Sequence, residues 1–351
     1  MTAKIFFRQT LRVHIFIDES GLFVPATPGS SAISMVGALI VPEHKLRKLF
    51  TRYSRLRQNL PKSGTGEVKG SRLSEIEVSA VIDLLFKNSC IFEAVVMDMG
   101  WESQEGIIRH RDGQAERITA HLTPEHQPEL IKGVRAWRQT LEHMQPQLYA
   151  QSAATFELLS GILERVPLYY VQRWPVDLTD FHWHIDGKEV FKLTSAEAWW
   201  SETMLPMLQS KSLRKPMLAL EGADYSYFDA KYRMETPEHL RTHGFSEESG
   251  INLRRLMKDS FRFSSDAEPG LELVDIVTNA TRRALLGKLG KLGWKLIPRL
   301  MLHRHEHYLS FVTLTNAQDS RPKPPWAQTV VQHFASGGRS MVTPGIYASS
   351  E

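Results

Sequence analysis

The sequence predicts a mixed α/β fold, and three observations carry that reading. Val13 to Asp18 (VHIFID) alternates apolar and polar residues and is rich in β-formers. Ala32 to Val41 (AISMVGALIV) is an unbroken apolar run closed off by Ser31 and Pro42, as expected of a strand buried on both faces. The order of elements is strand, strand, helices, strand, a long helical stretch, strand, then strand plus helix. That is not the regular βαβ alternation of a wholly parallel sheet.

The elements follow in order. After the first strand, Glu19-Ser20-Gly21 is a turn signal. Glu43 to Leu60 carries Leu46, Leu49, Tyr53 and Leu56 at spacings of three and four, which predicts an amphipathic helix. Pro61 to Gly66 reads as a loop. Ser74 and Glu77 have capping-box spacing ahead of a helix with Ile76, Ala80, Val81, Leu84 and Leu85. Cys90 to Met99 (CIFEAVVMDM) is a third strand. Residues 100–180 hold clustered charges and predict helices near Gln127–Gln145 and Gln151–Arg165, a helical insertion within the domain. Asp180 to Asp186 (DFHWHID) is a strand, and Ser195–Gln209 a helix carrying Trp199 and Trp200. Pro216–Leu220 is a short strand candidate. A strand near Ser260–Ser264 leads into a helix over Leu271–Leu285, and Tyr308–Leu314 is a last strand candidate. Residues 1–315 therefore read as one domain. Residues 316–351, rich in Pro, Ser, Gly and Gln, read as a loosely ordered tail.

A chain of 351 residues with ordinary apolar and charged content can bury a core without disulfides or structural metal. Its single cysteine, Cys90, excludes a disulfide framework and a thiolate metal cage. No apolar run exceeds about ten residues, against the ~20 that span a bilayer. The N-terminal segment lacks the pattern of a signal peptide. A soluble cytoplasmic protein with no membrane partner is the expectation. The net charge is only +4, but its distribution is uneven. One acid-free block between His44 and Gly66 holds Lys45, Arg47, Lys48, Arg52, Arg55, Arg57 and Lys62. Another between Ile276 and His305 holds Arg282, Arg283, Lys288, Lys291, Lys295, Arg299 and Arg304. Such blocks suit the phosphate backbone of DNA or RNA, with Lys45, Arg52, Lys288, Lys291 and Lys295 as contact candidates; two solvated helix faces are the plainer alternative.

Four acids lie where a fold presents chemistry. Asp18 ends the first strand, and Asp186 ends the DFHWHID strand. Asp275 lies in the first turns of a late helix, flanked by apolar residues, where an acid is costly to bury unless paired or bound to metal. Glu67 sits in the loop before the capped helix. Oxygen ligands of this kind suit Mg²⁺ or Mn²⁺, which can support phosphodiester hydrolysis. Asp18 and Asp186 also fit simple turn positions.

The motifs IFIDESG (15–21), EVKGS (67–71), HIDG (184–187) and GLELVDIV (270–277) occur in the order seen in domain-of-unknown-function family 3800, which the chain resembles over residues 11–285. The resemblance implies an RNase H-like fold and a metal-dependent nuclease, with Asp18, Glu67, Asp186 and Asp275 as both catalytic and metal-binding residues. In the last motif Glu272 and Val274 stand where the family usually has Gln and Ala, so Glu272 either joins the metal site or lines the groove. A non-catalytic nucleic-acid-binding module on the same fold is the alternative.

Weaker signals complete the reading. His182 and His184 share a strand face with Asp186, so one of them could orient a water or leaving group, or serve in packing. His303, His305, Glu306 and His307 match no standard zinc spacing. No phosphate loop, nucleophile elbow or dinucleotide fingerprint is present.

Overall fold

The computed structural model describes residues 11–27, 30–120, 122–186, 204–214, 217–235, 249–258, 261–264, 268–302, 308–315 and 325–343. The fold is α/β. Strands β1 (Val13–Ser20), β2 (Ile33–Pro42) and β3 (Ile91–Asp98) form an antiparallel meander. β4 (Phe181–Asp186) runs parallel to β1 on its free side. Two short strands, β5 (Arg233–Glu235) and β6 (Ser249–Ile251), pair with each other apart from this sheet. β7 (Phe261–Ser264) runs parallel to β4, and the two-residue β8 (Ser310–Phe311) parallel to β3. The mixed sheet thus has the order β7-β4-β1-β2-β3-β8.

Helices cover both faces, as the all-buried β2 requires. The first are α1 (Glu43–Arg57) and α2 (Glu75–Lys87), the latter with the complete Ser74–Glu77 capping box. Then come α3 (Gln104–Thr119), α4 (Pro128–Glu142) and α5 (Pro146–Val171). After β4 follow α6 (Leu205–Arg214), α7 (Ser226–Tyr232) and α8 (Leu253–Lys258). Among the described residues, α9 (Pro269–Leu285), α10 (Lys291–Trp294) and α11 (Pro325–Ser336) follow.

Strand alternation splits the core in two. Val13, Ile15 and Ile17 of β1 with Phe181, Trp183 and Ile185 of β4 share one core with α5, and Phe181 and Trp183 reach α7 and α8. The opposite face carries Phe16 and Leu39 against α1, α2 and α9. Even-numbered residues of β1 and β4 therefore look toward α9. Gly270 matters here, because a Cβ at that position would run into the Phe16 ring.

The helical stretch expected within the domain is built into it: α5 supplies much of one core, and its Arg165 makes a buried two-pronged pair with Glu93 of β3 at 3.0 and 2.8 Å. Two expectations are corrected. The predicted loose tail contains α11, whose Val330 and Phe334 are buried against the second core, because TVVQHF places them at helical spacing. Residues 217–220 form no strand. Trp199, Trp200 and the HRHEH segment lie outside the described residues. Among the described residues, no helix is long and apolar enough to cross a membrane.

Candidate acidic centre

Parallel pairing sets β1 and β4 side by side, with Ile17 level with Ile185. One step further along each strand come Asp18 and Asp186. Both are even-numbered, so both belong to the α9 side of strands spaced about 4.8 Å apart. α9 crosses this face, with Leu273, Ile276, Val277 and Ala280 buried beneath it. Asp275 lies on its flank toward the strand ends.

The 67–70 segment clamps onto the same flank. The Gly70 N–H donates to Asp275 Oδ2 at 2.7 Å, and the Val68 N–H to Glu272 Oε1 at 3.1 Å. Gly70 is required for that approach: a Cβ there would stand 2.8 Å from Ile276 Cα and 2.9 Å from the Asp275 carbonyl oxygen. The clamp brings Glu67 and Lys69 to the acids, with Lys69 Nζ 2.8 Å from Glu67 Oε1.

Electrostatics record the crowding. Burial lifts the Asp18 carboxyl well above the usual carboxylate range, and the negative charges of Asp275, Glu19 and Asp186 push it further. Asp275 is also raised, by burial first. The Gly70 N–H and the Lys69 charge oppose that rise, while Glu67 and Glu272 add to it. Burial works against the charge on Lys69, but Glu67, Asp275 and Asp18 more than offset it, so its proton is held more tightly. The four sequence-predicted acids thus form one interacting group, linked Asp186–Asp18–Asp275–Glu67. Their oxygens do not close into a tight cage. Among the described residues, only His14, His182 and His184 have three ligand atoms all within 4.8 Å of one another.

Glu272 does not belong to this group as a ligand. Its carboxylate is buried and receives Arg57 Nε and Nη2, each at 2.6 Å, the Tyr53 hydroxyl at 3.0 Å and the Val68 N–H. Burial alone would raise its pKa, but these donors lower it. It holds α1 and the 67–70 segment against α9. His184 is likewise engaged elsewhere, between His14, Glu268 and the Phe16 ring.

The two basic blocks divide by role. Arg57 is committed to Glu272, and Arg282 donates to the Ile33 carbonyl at 2.6 Å. Arg283 donates to the carbonyls of Gly70 and Leu73, and Arg299 lies over the Phe86 ring. These four arginines build structure. Arg52, Lys288, Lys291 and Lys295 are exposed, and Lys45 is half-buried. Lys288, Lys291 and Lys295 follow the far end of α9, beyond Arg283, which itself reaches the Gly70 loop.

Sequence reasoning missed Lys69 as a partner of the acids, although it stands inside the EVKGS motif. It also missed His14, whose alternation with Asp18 was visible but whose facing strand was not. Comparison with protein-family models, curated proteins and solved structures returned no match.

Proposed function

We propose that the protein is a divalent-metal-dependent nuclease on an RNase H-like sheet, cleaving phosphodiester bonds of DNA or RNA in the cytoplasm. The observation that carries this reading is the interaction of Asp18, Asp186 and Asp275, three acids from three separate elements, with the Asp18 carboxyl raised by burial and then by the charges of Asp275, Glu19 and Asp186. The meander β1–β3 extended past β1 by two parallel strands supports the fold assignment.

The donor set fits Mg²⁺ or Mn²⁺: all candidate ligands are carboxylate oxygens, the ligand type that small hard cations prefer. When bound, such an ion would activate water and stabilise the leaving oxygen. The chain's own residues have distinct tasks. Asp18, Asp186 and Asp275 would hold the ion, whose charge would oppose the raised proton affinity of Asp18. Glu67 would orient the attacking water, and Lys69, paired with it, would fix its carboxylate. The lysines at 288, 291 and 295 would grip the backbone of the nucleic acid.

One observation favours a second reading, a non-catalytic nucleic-acid-binding module. Lys69 already places a cation beside Glu67, Asp275 and Asp18. Incubating the full chain with a panel of single- and double-stranded DNA and RNA, with Mg²⁺, Mn²⁺ or a chelator, separates the two. The nuclease reading predicts metal-dependent products. Binding without cleavage of any member would leave the module.

A further inference from the structure

On the same sheet face as the acidic centre, but toward the start of β1, three imidazoles converge. His14 and His182 are register partners across the parallel β1–β4 pair, and His184 is two residues further on. Their ligand atoms all lie within 4.8 Å of one another. Each ring also has a carboxylate at its side. His14 Nε2 is 2.7 Å from Glu43 Oε2, and His184 Nδ1 is 3.0 Å from Glu268 Oε1. His182 Nε2 is 3.6 Å from Asp180 Oδ2. Metal-ligating histidines are typically held this way, with the second ring nitrogen given to a carboxylate that fixes the tautomer and raises ligand basicity.

From this geometry we propose that His14, His182 and His184 form a Zn²⁺ site separate from the acidic centre, with a water in the fourth position. The inward nitrogens of His14 (Nδ1) and His184 (Nε2) are 3.2 Å apart. Two nitrogens bound at about 2.05 Å with a tetrahedral angle stand about 3.3 Å apart, so the observed separation matches what a shared ion needs. His182 is the most exposed of the three rings and marks the open side. Imidazole donors select Zn²⁺ over the hard ions that suit carboxylates.

The site has a structural reach. Glu43 begins α1, and Glu268 is the N-cap residue of α9, the helix that carries Asp275. A bound ion would tie β1, β4 and both helix starts together. The proposal does not depend on nuclease activity.

Co²⁺, which reports four-coordinate nitrogen sites by visible absorption, tests it on the full-length, metal-stripped protein, with Zn²⁺ as competitor. The expected result is one equivalent of Co²⁺ with the intense bands of tetrahedral geometry, displaced by Zn²⁺. His184→Gln and His14→Gln should each weaken binding by more than tenfold, and Asp18→Asn should leave it unchanged. Glu268→Gln, at a partly exposed position, should weaken it about 10–100-fold and decides the matter should the histidine variants not fold. Absence of the tetrahedral bands in the wild type would overturn the site. So would undiminished binding in Glu268→Gln and the folded histidine variants. Loss of the bands in Asp18→Asn would move the ion to the acidic centre.

Discussion

Asp275 and Gly70 are joined across 205 residues of chain by one hydrogen bond, from the Gly70 N–H to the Asp275 carboxylate at 2.7 Å. The bond ties the helix carrying one acid to the loop carrying another. It also determines what a substitution at Asp275 should do. Asparagine keeps an oxygen acceptor for the Gly70 N–H and removes a half-buried negative charge that acts on Asp18. Asp275→Asn is therefore expected to melt at an equal or higher temperature than wild type without metal. It should also lose the stabilisation that Mn²⁺ is expected to give the wild type by preferential binding. Arg282 is no structural counter-ion, since it donates to Ile33. A metal-free melting point well below wild type, with the Mn²⁺ shift intact, would remove Asp275 from the centre.

Glu272 should behave oppositely. Glu272→Gln leaves the Arg57 guanidinium without its anion in a largely buried setting. Breaking such a pair costs about 3 kcal/mol, the lower end for buried pairs because Arg57 is partly in solvent. Chemical denaturation should register that loss, and Mn²⁺ affinity of the folded fraction should stay near wild type. An unchanged midpoint would show that the anchor carries little of the fold's stability.

The raised proton affinity of Asp18 gives a pH prediction with a definite sign. A carboxyl whose folded-state pKa exceeds its unfolded value binds more protons when folded. Its contribution is full below the unfolded pKa and is lost as pH rises through the folded one. The metal-free wild type should therefore lose stability relative to Asp18→Asn as the pH climbs from the ordinary carboxylate range through the raised value. Melting curves of both proteins across that range check it. A constant difference would mean that Asp18 is ionised normally.

Nucleic-acid affinity should fall with salt, at about −0.9 in log–log slope per duplex phosphate neutralised. Replacing Lys288, Lys291 and Lys295 by Gln should make the slope shallower by up to about 2.7, three times that amount. Filter binding at several salt concentrations measures it. An unchanged slope would place the interface elsewhere.

Much of the acidic centre was legible because strand alternation and strand ends are local properties. VHIFID and DFHWHID each show which residues share a face, and both end on Asp. What was not legible depends on contacts between distant segments. Glu272 read as a possible ligand because its real partners, Arg57 and Tyr53, lie 215 and 219 residues away. Four of the fourteen basic residues in the two blocks proved to be arginines that pair an acid, cap carbonyls or stack on a ring, which charge counting does not distinguish from exposed lysines. The histidine cluster needed the parallel register of β1 against β4, which neither strand encodes alone. The tail helix was obscured by the Pro- and Ser-rich sequence around it, although Val330 and Phe334 carried the helical spacing.

The central claim is that Asp18 holds a catalytic divalent ion. Cleavage of labelled DNA and RNA by wild type and Asp18→Asn, compared side by side in Mg²⁺ and Mn²⁺, tests it most directly. The account predicts metal-dependent products from the wild type and none from the variant, while the variant still folds and binds the same nucleic acid. Wild-type turnover by Asp18→Asn would contradict it.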